Sequence, residues 1–150
     1  MILNYQNLKK KYINHFENED KCDSVLTDVL FAFNELFPII KNDNVKRVLE
    51  IGSGTSILLN ELSRIFPEKI FVGVDPHDSG FDNFESISKK MILNKNMSIF
   101  HEDFTKFNKE KDFDIIYSFN VFEHLSDQNK YLVIMNKLLS LNGKSVIFCP

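Results

Sequence analysis

Residues 48–56 read Val48-Leu49-Glu50-Ile51-Gly52-Ser53-Gly54-Thr55-Ser56, an apolar run broken by one acid and closed by two glycines one residue apart. Extended back to Val45, the run is short, rich in branched residues and ended by glycine, which predicts a strand; a helix is expected over about residues 56–66. A strand, a glycine turn and a helix in that order put unpaired N–H groups at the helix start. There the backbone can approach a ligand with no Cβ in the way.

The pattern repeats outward from this point. Residues 70–74 (IFVGV), 97–100, 113–119 (FDIIYSF) and 145–149 (SVIFC) predict four more strands. Phe81, Phe84, Ile87 and Met91 recur at helical spacing, as do Tyr131, Ile134, Met135 and Leu138 in a helix expected to be capped by Ser126 and ended by Asn142-Gly143. Upstream, Val25, Val29, Phe33, Leu36 and Phe37 predict a helix capped by Asp23 or Ser24 and stopped by Pro38, and Leu8, Tyr12 and Phe16 a weaker one. Strands apolar on both faces, alternating with helices, imply an α/β fold with a doubly wound, mostly parallel sheet. The organisation expected is a single domain, with residues 1–40 as a helical extension and 45–150 as its core.

Composition narrows the function classes. With 150 residues and 43% hydrophobic content, the chain can bury one sizeable core. A net charge of -3, with lysines scattered among acids, provides no basic field for nucleic acid. The apolar segment 28–40 is interrupted by Asn34, Glu35 and Pro38 and is too short to cross a bilayer. No early segment has the pattern of a secretory signal, so a cytoplasmic location is expected. Cys22 and Cys149 lack zinc or redox spacing, and no metal is expected.

Three ligand classes compete for the glycine turn. A nucleoside triphosphate calls for a longer loop ending in Lys and Ser or Thr, and no lysine follows these glycines. A dinucleotide prefers a third glycine where Ile57 stands. The third class is an amino-acid nucleoside, and here the chain resembles the class I S-adenosylmethionine-dependent methyltransferases. The resemblance runs from about residue 45 to 150 through EIGSG at 50–54, VGVDP at 72–76, EDF at 102–104, FDIIYSFNVFEHL at 113–125 and LNGK at 141–144.

The resemblance implies a Rossmann-like sheet of strand order 3-2-1-4-5 and S-adenosyl-L-methionine as cofactor. Glu50, Asp75 and Asp103 place acids at the ends of three successive strands, which suits a sulfonium and an ammonium better than a pyrophosphate. Asp75 follows the glycines at the distance from which a carboxylate accepts hydrogen bonds from ribose hydroxyls. By the resemblance, Gly52, Ser53 and Gly54 cradle the cofactor, Pro76 adjoins the ribose acid, Asp103 meets the adenine amino group, Phe104 lies against its ring, and Asn120 and Val121 stand near the methionine part. Plainer readings stay open: a tight turn at Gly52 and Gly54, a cap at Asp75, an ordinary loop residue at Asp103, a core residue at Phe104.

Methyl transfer from a sulfonium is an in-line displacement, so positioning supplies most of the catalysis and a base is optional. Glu123-His124 lies beside the expected methyl group, which makes His124 the candidate catalytic base; its plainer role is to brace the next helix. His77, after Asp75 and Pro76, is placed to face the adenosine. The N-terminal helices are expected to cover the acceptor site. Family members continue past the fifth strand, so the apolar residues 146–148 are expected to pair with a further segment or with another copy of the chain, a homo-oligomer through the last strand. The acceptor is expected to be a small molecule. Two other readings remain: a nicotinamide-dependent oxidoreductase using the same loop, and a non-catalytic binding or scaffold module.

Overall fold

The structure, a computed structural model, describes residues 3–76, 84–91, 93–108 and 111–149. Five strands, β1 (Arg47–Ile51), β2 (Ile70–Val74), β3 (Met97–Phe100), β4 (Phe113–Phe119) and β5 (Leu139–Phe148), form one sheet. Its order is β3-β2-β1-β4-β5 and every pairing is parallel. The strand order thus follows the resemblance, and the winding reverses between β1 and β4, where sheets of this type bind ligands. His77 and Phe81 lie outside the described residues.

Among the described residues five α-helices accompany the sheet: α1 (Tyr5–Tyr12), α2 (Glu19–Ile40), α3 (Ile57–Ile65), α4 (Phe84–Lys90) and α5 (Gln128–Leu138). Strand alternation sorts the apolar residues into two cores. Val48, Phe71, Ile115 and Tyr117 pack with Leu26, Ala32 and Phe33 of α2 and Leu59 and Leu62 of α3. Leu49, Ile51, Val72, Val74 and Ile116 pack with Tyr131, Met135 and Leu138 of α5. On the first face the strand register sets Gly73, Glu50 and Tyr117 side by side.

Several boundaries differ from the sequence expectation. Helix α2 starts earlier, because Asn18 rather than Asp23 or Ser24 caps it, its side chain accepting the Lys21 N–H at 2.8 Å. Pro38 sits inside the helix instead of ending it. Only the last turn follows it, and burial of Ile40 holds that turn in place. Asp127, not Ser126, caps α5 by accepting the Lys130 N–H at 2.9 Å.

Asn142-Gly143 does not end α5, which passes directly into β5 at Leu139. Phe113 pairs with Leu139 but Ile115 with Lys144, so residues 140–143 form an irregularity in the strand. A Cβ at Gly143 would lie 2.6 Å from the Phe113 carbonyl oxygen, so the glycine serves a close backbone approach. Among the described residues β5 is an edge strand, as β3 is at the other side, and Val146, Ile147 and Phe148 are half-buried on it. No described helix is long and apolar enough to cross a membrane.

Candidate functional site

The turn after β1 is held by its neighbour strand. Gly52 and Ser53 donate their N–H groups to the Val74 carbonyl at 2.8 and 3.3 Å, and Gly54 donates to Asp75 Oδ2 at 2.7 Å. Gly52 has φ +74°, and a Cβ there would lie 2.3 Å from Val121 Cγ2. Only glycine fits beneath that valine. Ser56, also at positive φ, opens α3 and is buried, with its hydroxyl 3.0 Å from that of Ser88. Asn120, at φ 53°, turns the chain off the end of β4 and donates its N–H to the Phe148 carbonyl at 3.1 Å.

These turns surround a cavity of about 700 Å³ at the carboxyl ends of the strands, within the size range of small-molecule sites. Glu50, Gly52, Ser53, Gly54, Asp75, Pro76, Asp103, Phe104, Asn120, Val121 and His124 all line it, so the structure brings together the site residues read from the sequence apart from His77, which is outside the described residues. Six carboxylates line the cavity, from Asp28, Glu50, Asp75, Glu85, Asp103 and Glu123, and no described lysine or arginine does. The field there favours a cation.

The carboxylates are not equivalent. Asp103 is exposed and caps the 3-10 turn Phe104–Lys106, its Oδ1 accepting the Thr105 N–H at 2.7 Å. That backbone bond holds its carboxyl below the usual range. Glu50, only 5% exposed, is pushed well above it by burial, with Asp75 adding repulsion and the Tyr117 hydroxyl opposing the rise. Burial likewise pushes the Tyr131 phenol up to about 12.

Four buried polar atoms of cavity-lining residues, Glu50 Oε2, Ser53 Oγ, Glu123 Oε2 and Tyr131 Oη, have no hydrogen-bond partner of good geometry. Buried polar groups are normally satisfied, so these four suit a site that takes polar contacts from a ligand. Phe104 is buried and stacks at 4.9 Å on Tyr131, which makes it a core residue and a cavity wall at once. His124 ends the 3-10 turn Phe122–His124, with a side chain 60% exposed and Nε2 3.8 Å from Glu123 Oε1.

Sequence reading missed Asp28, Tyr131 and Tyr117. α2 supplies Ser24, Val25, Asp28, Val29 and Ala32 to the wall, so the N-terminal helix does border the cavity. Asp28 lies off the stripe Val25, Val29, Phe33, Leu36 and Phe37 and carried no sequence signal of its own. Tyr131 was legible only as a helical core position, and Tyr117, beside Glu50, only as a strand residue.

Comparison with known proteins agrees with this geometry. A malonyl-[acyl-carrier protein] O-methyltransferase of Priestia megaterium is 26% identical over 148 residues, covering 98% of this chain and 52% of its own. PKMT2 from Rickettsia typhi, solved in complex with AdoHcy, superposes with a TM-score of 0.59 at 26% identity, over 69% of this chain and 20% of that one. The plantazolicin methyltransferase BpumL, at 18% identity and a TM-score of 0.62 over 95% of this chain and 51% of its own, shares the fold. The chain spans between about a third and a half of the length of the curated relatives it matches. A family model described as a methyltransferase domain matches residues 21–149, and the chain therefore belongs to that family, the class I S-adenosylmethionine-dependent methyltransferases with their Rossmann-like fold.

Proposed function

We propose that this chain binds S-adenosylmethionine in the cavity after β1 and takes part in transferring its methyl group to a small-molecule acceptor. The observation that carries the reading is the convergence of the glycine turn and six carboxylates on one cavity that no described lysine or arginine lines. A dicationic ligand fits that arrangement, since the acids receive the cations. A pyrophosphate does not. Ile57, fully buried where a dinucleotide loop prefers glycine, argues the same way.

In this reading Gly52, Ser53 and Gly54 would hold the amino-acid tail with Glu50 beneath them. Asp75, beside Pro76, would hold the ribose, Asp103 and Phe104 the adenine, and Asn120 and Val121 would border the sulfur. The cofactor when bound supplies an electrophilic methyl on a cationic sulfur. The chain's own part is to align the acceptor and exclude water, with α2 as the wall facing the β4 turn. His124 would receive a proton from the acceptor, with Glu123 beside it.

Malonyl-acyl-carrier relatives act, by their names, on a carrier-borne acid; the acidic cavity favours a neutral or cationic small molecule instead. Calorimetry with S-adenosylmethionine, S-adenosylhomocysteine and NAD tests the cofactor. Micromolar binding of the first two without NAD is expected; NAD binding alone would overturn the reading.

A further inference from the structure

The row Gly73, Glu50 and Tyr117 crosses three adjacent strands on one face of the sheet. Gly73 contributes no side chain, and Ser53 and Leu59 close over it, each within 3.0 Å of where its Cβ would stand. Glu50 is therefore enclosed by the sheet below, the glycine turn above and Tyr117, fully buried, at its side. Its Oε2 and the Tyr117 hydroxyl both lack a hydrogen-bond partner of good geometry. Glu50 also lines the ligand cavity. A carboxylate this buried, with one oxygen lacking a partner of good geometry, is disfavoured as an anion and takes up a proton instead.

We infer that Glu50, braced by Tyr117, is a proton-linked seat for a cationic group: it stands as the neutral acid in the free protein and releases its proton to solvent when a cation enters the cavity. The inference rests on the function proposed above, in which the ligand carries an ammonium and a sulfonium. The exchange balances, because one carboxyl O–H breaks, one proton leaves to water, and the new carboxylate faces a fixed positive charge. Placing the charge only when it is matched avoids holding a bare anion in the core.

Other titratable groups around the cavity are Asp28 from α2, Asp75 at the end of β2, Glu85 from α4, Asp103 after β3, and Glu123 and His124 after β4. Asp75 repels an ionised Glu50, and the Tyr117 hydroxyl stabilises it. The sign follows. Cation affinity climbs with pH above the pKa that Glu50 has in the complex, until Glu50 ionises in the free protein.

The experiment is calorimetry of the native chain with S-adenosylhomocysteine between about pH 5 and 8, in buffers of different ionisation enthalpy. Affinity is expected to rise by up to about tenfold per pH unit with release of up to one proton. Glu50→Gln, which mimics the neutral acid, is expected to bind more weakly at the upper end, to release no proton and to lose this slope. Any slope it retains belongs to the other six groups. Tyr117→Phe is expected to move the plateau to higher pH. A native profile with no proton release, or an identical one in Glu50→Gln, overturns the inference alone. Failure of the native chain to bind at any pH overturns the proposed function with it.

Discussion

Asp75 Oδ2 accepts the N–H of Gly54 at 2.7 Å, so the carboxylate that ends β2 clamps the turn that follows β1. The bond joins neighbouring strands and is charge-assisted, which makes it about twice as strong as a neutral one. In the proposed complex Asp75 would serve loop and ribose together. Asp75→Ala is expected to cost about 1.5–3 kcal/mol of stability and to weaken S-adenosylhomocysteine binding by at least about tenfold, a loss of about 1.4 kcal/mol. Asp75→Asn keeps an acceptor for Gly54 and should recover much of the stability but less of the affinity. Denaturation and calorimetry on both variants check this, and native affinity in Asp75→Ala would remove the residue from the site.

Gly52 meets two constraints that separate experimentally. Its positive φ alone makes Gly52→Ala cost about 1–2 kcal/mol, and overlap with Val121 adds about 1–3 kcal/mol. A double-mutant cycle with Val121→Ala should return the second part and leave the first. Strictly additive single effects would show that the valine does not press on the turn.

Glu61 ties the N-terminal helices to α3. It is 2% exposed, accepts from the Tyr12 hydroxyl at 2.6 Å, and pairs with Lys11 at 2.5 Å and Arg64 at 2.8 Å. Burial alone would raise its pKa, but the Lys11, Tyr12 and Arg64 contacts outweigh it and hold the carboxyl below its ordinary value. A depressed carboxyl stabilises the fold above its unfolded pKa, and that contribution is lost as pH falls. The native chain should therefore lose stability below about pH 4.5, and Glu61→Gln should flatten that limb while costing about 1.5–3 kcal/mol near neutrality. Melting temperatures across pH 3–7, about the carboxylate range, distinguish the two.

The His124 side chain is largely exposed. As acceptor base, its replacement by Gln should lower kcat by about 10² to 10⁴ with cofactor affinity unchanged. Unaltered kcat in His124→Gln would leave alignment alone as the source of catalysis.

The strand, glycine turn and helix around residues 47–65 were legible because a short buried strand, a Gly-x-Gly turn and a helical apolar stripe each have their own local signature. Residues 138–144 were not. Asn142-Gly143 has the composition of a helix stop, yet its glycine answers a carbonyl of β4 that is distant in sequence. The same limit hid Tyr117, because its pairing with Glu50 is a matter of register between strands more than sixty residues apart. Asp28 escaped for a different reason: periodicity separates core from surface on α2, but does not mark which surface residue faces a cavity.

The wall provided by α2 precedes β1 in the chain, whereas the glycine turn and the β2 and β4 turns all follow it. In the proposed function, access and grip would thus lie in separable stretches. A chimera carrying another family member's helix in place of residues 19–40 should admit a different repertoire of acceptors while keeping its donor affinity, so diversification can proceed at the doorway with the engine left alone.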